Sequence, residues 1–261
     1  MLTVDSRYTF TDPDHVREKL NHIPWLETPS FVTHKPEIRQ FKKKLAKYKK
    51  FRNIIVIGNG GSINNFYAFY EALNEPNAKD AKKAYILNTV EPDVINYLKS
   101  VCSKKDTLVM PISKSGTTVS VIESLMAFID YPILAVTGND GTLAEMAKKE
   151  RWDTIEHPDI GGRYSGRTAC GLVPALFCNL GIEEINKGAI EMYRKCAPKV
   201  PIEKNPALQL SVALYQLDKE GYTEIFMPVY ATKLLGFLAL IIQLIHESSG
   251  MDLKGQSLYG A

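Results

Sequence analysis

The sequence TLVMPI-SKSGTT-VSVIESLMAF, residues 107–128, decides how the fold of this chain is interpreted. Its first part, Thr107–Ile112, is an apolar run that predicts a buried strand, and its last part, Val119–Phe128, predicts a helix. The turn between them, SKSGTT, carries four hydroxyl side chains, and its backbone N–H groups point the same way as the positive end of the helix. This combination favours a phosphate ligand. The alternative is a simple helix cap, although a cap needs only one hydroxyl.

Strand and helix alternate on both sides of this segment. The β-branched run Asn53–Ile57 predicts a buried strand, which the turn Gly58–Ser62 joins to a predicted helix, Ile63–Leu73. Thr142 and Glu145 are spaced as a capping box for a further helix. The other predicted strands are Ala84–Leu87, Ile133–Thr137 and Asp153–Glu156. Such repeated strand–helix units predict an α/β fold, in which a parallel sheet is sandwiched by helices on both faces.

Changes in composition divide the chain into three predicted regions. Residues 1–50 form an irregular arm followed by a lysine-rich helix, Ile38–Tyr48, whose lysines we interpret as a solvated face rather than a nucleic-acid patch. Residues 51–197 hold the α/β domain, and Pro198 and Pro201 mark its end. Residues 198–261 contain a predicted helix, a strand and the apolar helix Thr232–Ser248, a pattern typical of the start of a second, incomplete α/β lobe.

The overall composition excludes several classes of protein. Hydrophobic residues make up 45% and charged residues 23%, as in soluble globular proteins, and the net charge of +3 is small for a nucleic-acid binder. The N-terminus has no signal-peptide pattern, and the longest apolar stretch, Leu234–Ile245, is too short to span a membrane. The four cysteines form no Cys-x-x-Cys pair and the histidines show no ligand spacing, which favours a cytoplasmic protein with reduced thiols and no metal site.

The turn Gly58-Asn59-Gly60-Gly61-Ser62 invites comparison with a dinucleotide-binding fingerprint, and the comparison fails. Ile63 occupies the place of the third glycine, and Asn88 stands where an acidic residue would hold a ribose. The sequence therefore argues against a nucleotide-dependent enzyme. We interpret the glycines as allowing a ligand to approach the backbone, with a tight turn that needs positive φ as the alternative.

A second dense cluster runs from His157 to Ser165. The paired glycines Gly161 and Gly162 let the backbone bend tightly and project Arg163 into a cleft, where a permanently charged guanidinium can stabilise a developing oxyanion. The alternative is an ordinary surface arginine on a flexible loop.

A third cluster lies on the last apolar helix. Gln243 and Glu247 are four residues apart and so share one helix face. Because the helix is apolar on nearly every side, we expect it to be buried. A carboxylate in apolar surroundings costs free energy unless it has a charged or hydrogen-bonding partner or a catalytic role. Glu247 is therefore a candidate general base. The alternative is a glutamate that lies in water at the helix end.

Four motifs occur in series: GGS at 60–62, SKSGTT at 113–118, GGRYS at 161–165 and Q-x-x-x-E-S-x-G at 243–250. In this order they resemble the glucose-6-phosphate isomerase family, whose members contain two sugar-isomerase (SIS) domains with flavodoxin-like sheets. The resemblance covers roughly residues 50–258. Any one of the motifs alone would be a weak signal, whereas the series is specific.

The resemblance implies a reaction and a role for each motif. Glu247 would move a proton between C1 and C2 of the sugar, and Arg163 would stabilise the cis-enediolate. Lys114 matches the position of a lysine that lies at the active site in members of the family. The substrate would be held by Ser113, Ser115, Thr117, Thr118 and Gln243, with Gly60, Gly61 and Ser62 lining the same pocket. The implied activity interconverts glucose 6-phosphate and fructose 6-phosphate without a metal or nucleotide cofactor, in a homodimer.

The chain departs from the family pattern at three places. Ser120 replaces a frequent glutamate, Met251 replaces a lysine, and the chain ends at Ala261, before the expected ring-opening histidine. We therefore expect at most weak turnover from this chain, which lacks most of a second SIS domain. The alternative function is a non-catalytic SIS module that binds a sugar phosphate without converting it.

Overall fold

A computed structural model describes residue 18 and residues 33–250 and 255–261. Met251 and most of the predicted irregular arm lie outside these described residues. The chain divides into two compact units. The first, which we call the sheet unit, contains Lys35–Ile182 and Val229–Leu244. The described part of the second unit includes Glu183–Pro228 and the C-terminal residues from Ile245. The predicted regions 1–50, 51–197 and 198–261 stay a prediction.

The sheet unit is built around five parallel strands. They are β1 Asn53–Ile57, β2 Lys83–Leu87, β3 Thr107–Ser113, β4 Leu134–Thr137 and β5 Asp153–Glu156. Their order across the sheet is β2-β1-β3-β4-β5, and every adjacent pair is parallel. This is the flavodoxin-like order, with β3 beside β1 instead of beside β2. The predicted α/β fold with a parallel sheet is confirmed.

Helices follow the strands in alternation. The sheet unit contains α1 Ile38–Leu45, α2 Gly61–Leu73, α3 Pro92–Val101, α4 Val119–Met126, α5 Thr142–Lys149 and α6 Ala169–Phe177. Three-residue and six-residue 3-10 helices occupy Ala46–Tyr48, Thr232–Leu234 and Gly162–Arg167. One face of the sheet forms a continuous apolar core with α3, α4 and α5, in which Ile55, Val109 and Phe128 are fully buried.

The predicted capping box at α5 is wrong. Gly141 caps this helix with a φ of 90°, and Thr142 is its first helical residue, with no capping hydrogen bond from a side chain. A Cβ atom at position 141 would lie 2.3 Å from the carbonyl oxygen of Ser115. The close approach of the SKSGTT turn therefore requires a glycine at the N-cap position of α5. The spacing of Thr142 and Glu145 had indicated that the hydroxyl of Thr142 would occupy this N-cap position.

The second unit contains a small parallel sheet of its own. Its elements are α7 Ile182–Cys196, which begins at the boundary between the units, α8 Pro206–Lys219, β6 Glu224–Met227 and β7 Ser257–Gly260. Asn205 caps α8 by accepting a hydrogen bond from the N–H of Leu208 at 3.0 Å. Helix α9, Leu235–Ser249, connects β6 to β7 along the chain, and the two strands pair in parallel. The predicted start of a second α/β lobe stays a prediction.

Helix α9 is less buried than its composition indicated. Only Gly236, Leu238 and Leu240 are buried among its residues. Its first residue, Leu235, is 42% exposed, and Leu234, which ends the preceding 3-10 helix, is 47% exposed. An apolar composition indicates that a helix is more stable when other protein surface packs against it. It does not indicate that this surface belongs to the same chain. Among the described residues, no helix combines the length and the hydropathy that a membrane crossing requires.

Candidate functional site

Two of the predicted ligand-binding turns meet at the carboxyl edge of the sheet. Strands β1 and β3 are neighbours, with Ile57 opposite Pro111, so the turns that follow them leave the sheet side by side. Strand β2 lies on one side of β1, and the chain then crosses to form β3 on the other side of β1. The boundary between β1 and β3 is therefore the topological switch point of the sheet. In open α/β sheets, ligands bind in the crevice that forms there. The geometry therefore supports a ligand site between residues 58–62 and 113–118.

The hydroxyls of the SKSGTT turn form two pairs. Ser113 Oγ lies 2.9 Å from Thr118 Oγ1, and Ser115 Oγ accepts hydrogen bonds from the N–H and hydroxyl of Thr117, at 3.3 and 3.0 Å. Thr118 is the N-cap residue of α4, yet its side chain makes no capping hydrogen bond. Because Ser115 Oγ acts as an acceptor in both contacts, its own hydrogen can be donated to an anion. The hydroxyls of the turn therefore do not act as side-chain caps of α4, and Ser115 keeps a hydrogen that it can donate.

The shape of this turn is fixed by its neighbour, the turn 138–141. The N–H of Gly138 donates to the carbonyl of Lys114 at 3.2 Å, and the N–H of Leu143 donates to the carbonyl of Gly116 at 2.9 Å. Gly116 has a φ of 66°, and a Cβ there would lie 2.7 Å from the carbonyl oxygen of Asp140. Both turns are therefore held by main-chain contacts that only glycines allow.

The glycine-rich turn after β1 contacts the Arg163 loop directly. Gly60 has a φ of 57° and caps α2, so the alternative of a turn that needs positive φ is correct for this residue. Gly61 begins the helix, and a Cβ on it would lie only 2.2 Å from the carbonyl oxygen of Gly162 and 2.7 Å from the backbone nitrogen of Arg163. Ser62 also adjoins Gly162. This contact brings the GGS and GGRYS motifs together in the sheet unit.

Buried side chains hold the two loops in contact. Ser165 donates from its hydroxyl to the carbonyl of Gly162 at 2.6 Å, and the Asn65 amide donates to the carbonyl of Gly61 at 2.5 Å. The Asn65 amide also reaches the Gly162 carbonyl at 3.4 Å. Arg163 is half-buried, and its guanidinium lies 5.8 Å from the ring centre of Tyr164. The role of Arg163 stays a prediction.

Two asparagines connect the predicted motifs to one another. Asn59 Nδ2 donates to Ser120 Oγ at 2.5 Å and so joins the turn after β1 to helix α4. Asn64 Nδ2 donates to Gln243 Oε1 at 2.7 Å and so joins α2 to α9. At Gly236, α9 packs directly on the backbone of Ala68 in α2, where a Cβ would lie 2.8 Å away. Gln243 is thereby held beside the first turn of α2.

Sequence analysis missed these asparagines and Asn65, although a signal was present. Asparagine is a poor helix former because its amide competes for backbone partners, and two consecutive asparagines stand in the first turns of α2. The Asn64 side chain contacts Gln243 on α9, and the Asn65 side chain donates to the Gly61 carbonyl within α2 and to the Gly162 carbonyl outside it. Ser120, a departure from the family pattern, is the acceptor for Asn59.

Lys114 and Glu247 are both exposed to solvent. Lys114 Nζ lies 3.0 Å from Asp159 Oδ1, in an ion pair whose side chains are 42% and 96% exposed, so the pair contributes little to stability. Glu247 belongs to the second unit and is exposed, which makes the expectation of a buried carboxylate wrong. The reason is that the polar C-terminal turn of α9, from His246 to Ser249, is exposed. Among the described residues, no group of three or more metal-ligating side chains comes together.

His157 is a buried titratable residue at the end of β5. It is 3% exposed; its Nδ1 lies 2.8 Å from the carbonyl oxygen of Pro158, and its Nε2 has no hydrogen-bond partner among the described residues. Burial lowers the pKa of His157, and the nearby ammonium group of Lys114 lowers it further. The imidazole is therefore neutral, with Nδ1 as the donor to Pro158.

We expect this histidine to make the fold less stable in mild acid. Its pKa is lower in the folded state than in the unfolded state, so the unfolded chain binds more protons once the pH falls below about 6.5. Stability is then lost as the pH decreases from that value, and it is fully present above it. Thermal unfolding between pH 5 and pH 8 should give a smaller pH dependence for His157→Asn, which retains a donor, than for the wild type. Equal pH dependence would contradict this.

Comparison with known proteins agrees with the arrangement of the motifs. Residues 31–259 match the family model described as phosphoglucose isomerase. Glucose-6-phosphate isomerase from Methanocaldococcus jannaschii is 33% identical, over 82% of this chain and 55% of that protein. Glucose-6-phosphate isomerase from Acholeplasma laidlawii is 29% identical, over 92% of this chain and 60% of its own length.

Solved structures share the fold. A glucose-6-phosphate isomerase from Chlamydia trachomatis superimposes with a TM-score of 0.77 at 22% identity, over 96% of this chain and 58% of that chain. A hypothetical protein from Thermus thermophilus gives a TM-score of 0.81, also at 22% identity, over 95% of this chain and 64% of that chain. The chain thus spans a little over half the length of the curated relatives that it matches. The match over residues 31–259 shows that the chain belongs to the phosphoglucose isomerase family.

Proposed function

We propose that this chain is an aldose–ketose isomerase that interconverts glucose 6-phosphate and fructose 6-phosphate. The observation that carries the proposal is the contact between Gly61 and Gly162, which places the Arg163 loop beside the turn after β1, next to the hydroxyls of residues 113–118. A turn with hydroxyl donors and a neighbouring loop that carries an arginine are what a phosphorylated sugar with a developing negative charge requires.

The phosphate is bound by the SKSGTT turn in this proposal. The Ser115 hydroxyl, one hydroxyl of the Ser113–Thr118 pair and the first N–H groups of α4 donate to its oxygens, while Thr117 orients Ser115 by donating to it. Gly60, Gly61 and Ser62 leave space for the ligand at the backbone. Lys114 adds a positive charge to the same turn, and Gln243, held by Asn64, supports the sugar.

The chemical step is a proton transfer between neighbouring carbons. The carboxylate of Glu247 removes the proton from C2 of the open-chain aldose, and the electron pair of that C–H bond forms the C1–C2 double bond of an enediolate. The former carbonyl oxygen takes up the negative charge, which the guanidinium of Arg163 stabilises. The protonated Glu247 returns the proton to C1, and the O2–H proton moves to O1, which leaves the ketose. The step needs neither a metal nor a nucleotide.

A coupled assay on the phosphate turn tests this proposal. We expect Ser115→Ala to raise the KM for fructose 6-phosphate about tenfold, because one hydrogen bond to a charged group is lost, at about 1.5–3 kcal/mol. Ser103→Ala is the matched control: Ser103 precedes β3, outside the turn, and the substitution should leave KM unchanged. An unchanged KM in Ser115→Ala would remove this hydroxyl from the site.

A non-catalytic sugar-phosphate-binding module is the second candidate. The exposure of Glu247 favours it, because a sensor needs the hydroxyl turn but no sequestered base. Isothermal titration with glucose 6-phosphate, run beside the isomerase assay, separates the two functions. Binding without turnover supports the sensor, and turnover supports the isomerase. If glucose 6-phosphate is neither bound nor converted, both proposed functions are contradicted.

We also propose that the protein is cytoplasmic and assembles as a homodimer. The junction between the 3-10 helix Thr232–Leu234 and α9 supports the dimer. Leu234 and Leu235 are about half exposed there, and an apolar surface of this kind favours cover by another polypeptide. Light scattering on the purified chain should give twice the mass of 29.2 kDa. A mass equal to that of a single chain would contradict the dimer.

A further inference from the structure

A groove of about 480 Å³ lies in the sheet unit at the carboxyl ends of β4 and β5, away from the β1–β3 crevice. Helix α5 forms one wall of the groove, and strand β5, at the edge of the sheet, forms another. The volume is in the range of small-molecule sites. Its polar and aromatic lining includes Lys44, Thr137, Asn139, Lys148, Trp152 and Glu156.

The strand register explains why polar groups converge here. Glu156 on β5 lies opposite Thr137 on β4, and residues opposite each other in a parallel pair point to the same face of the sheet. Ala135 lies two residues before Thr137 and belongs to the core beneath α5, so this is the face that α5 covers. Glu156 therefore borders the groove on this face, and the Thr137 hydroxyl is buried in its wall.

Several of these polar groups lack a protein partner. Thr137 is 3% exposed, and its hydroxyl has no hydrogen bond among the described residues. Within the same part of the chain, neither Lys148 nor Glu156 forms an ion pair. A buried hydroxyl without a partner costs free energy, and natural proteins supply such a group with water or a ligand.

The lining indicates what that ligand is. Lys148 offers a positive charge, Glu156 and Asn139 offer acceptors and a donor for hydroxyl groups, and Trp152 presents part of a ring whose remainder packs on the core. Lys44, which donates to the carbonyl of Thr154, adds a second positive charge. The net positive lining favours an anion, and the aromatic face favours the C–H face of a sugar-like chain. We propose that this groove binds an anionic polyol of sugar size, at a site separate from the phosphate turn.

The groove shares a wall with the phosphate turn. The Thr137 hydroxyl lies 3.2 Å from the place of a Cβ on Gly116, and Gly138, which also lines the groove, donates to the carbonyl of Lys114. A ligand that shifts this wall moves both the turn 138–141 and the SKSGTT turn. Binding in the groove therefore changes the affinity of the phosphate turn for its ligand, and binding at the phosphate turn changes the affinity of the groove by the same factor. The groove site is an effector site in this arrangement, and its existence does not depend on the isomerase activity.

Tryptophan fluorescence tests the proposal, because the chain contains two tryptophans. In a Trp25→Phe protein, Trp152 is the only reporter. The probes are gluconate, an anionic polyol without a phosphate, then glucose 6-phosphate, and glucose as the neutral control. We expect saturable changes with gluconate and glucose 6-phosphate, and an affinity for gluconate at least tenfold lower in Lys148→Glu. Lys148 is exposed on α5, and circular dichroism verifies that the variant folds.

The Ser115→Ala variant separates the two sites. The gluconate response should be unchanged in Ser115→Ala, since the groove does not use that hydroxyl. The proposal is overturned if no probe changes the fluorescence, or if glucose binds as tightly as gluconate. A gluconate response that disappears in Ser115→Ala but persists in Lys148→Glu also overturns it, because the signal would then report the phosphate turn.

Discussion

Gly61→Ala is expected to lower the free energy of unfolding by about 3 kcal/mol, near the upper end of the usual cost of overpacking. The added Cβ would meet the carbonyl oxygen of Gly162 at 2.2 Å, and the backbone nitrogen of Arg163 is only 2.7 Å away. Both neighbours are backbone atoms, so no side chain can rotate out of the way. The two loops must separate, and the same substitution should therefore abolish binding of the sugar phosphate. Denaturant unfolding and isothermal titration measure the two effects.

Gly188→Ala is the matched control for this prediction. Gly188 lies within α7, where a Cβ would meet no atom within 4 Å. Alanine is a better helix former than glycine, so this substitution should raise the free energy of unfolding by about 0.5–1 kcal/mol. The two substitutions are chemically identical and should differ in sign. A Gly61→Ala protein as stable as Gly188→Ala would show that the Gly61–Gly162 contact does not form.

Glu247→Gln is expected to reduce kcat by at least about 100-fold, the lower end of what a general base contributes. Glutamine keeps the size of the side chain and its hydrogen-bonding oxygen, but it cannot take up the C2 proton. KM should change little, because the proposed role lies in the transition state and not in ground-state binding. The coupled isomerase assay gives kcat, and the exchange of the C1 protons of fructose 6-phosphate in D₂O, followed by NMR, reports proton removal on its own.

Glu191→Gln provides the control for Glu247→Gln. Glu191 is exposed on α7, where it lies 4.0 Å from Lys187 in a surface ion pair of one helix. Removing this charge should leave both kcat and proton exchange unchanged. If exchange proceeds at the wild-type rate in Glu247→Gln, Glu247 is not the base. If the wild type exchanges no proton, the isomerase proposal fails and the binding module is favoured.

Much of the fold could be predicted because local patterns were unambiguous. The β-branched run at 53–57 and the apolar run at 107–112 each form a buried strand, since such side chains suit a strand covered on both faces. Pro92 stands in the first turn of α3, where a missing N–H costs nothing. The order of the strands did not follow from these patterns, because periodicity specifies elements and not their neighbours.

The site was predicted in part for a related reason. The hydroxyl turn could be recognised from consecutive residues, and the structure places it at the switch point between β1 and β3. The contact of Gly61 with Gly162 joins residues about a hundred positions apart, and no local signal reveals it. The burial expected for Glu247 failed because the apolar character of α9 ends before its last turn. Its role as a base remains a prediction.

The glycines at 116, 138 and 141 have a consequence for redesign. The conformation of the loop after β3 is held mainly by carbonyl and amide groups, and the Ser115 hydroxyl adds one contact by accepting from the N–H of Thr117. At the exposed position 117, other small or charged residues can replace threonine while the backbone keeps its path. Under the proposed phosphate-binding role of this turn, a library confined to position 117 would therefore alter anion recognition on an otherwise constant scaffold.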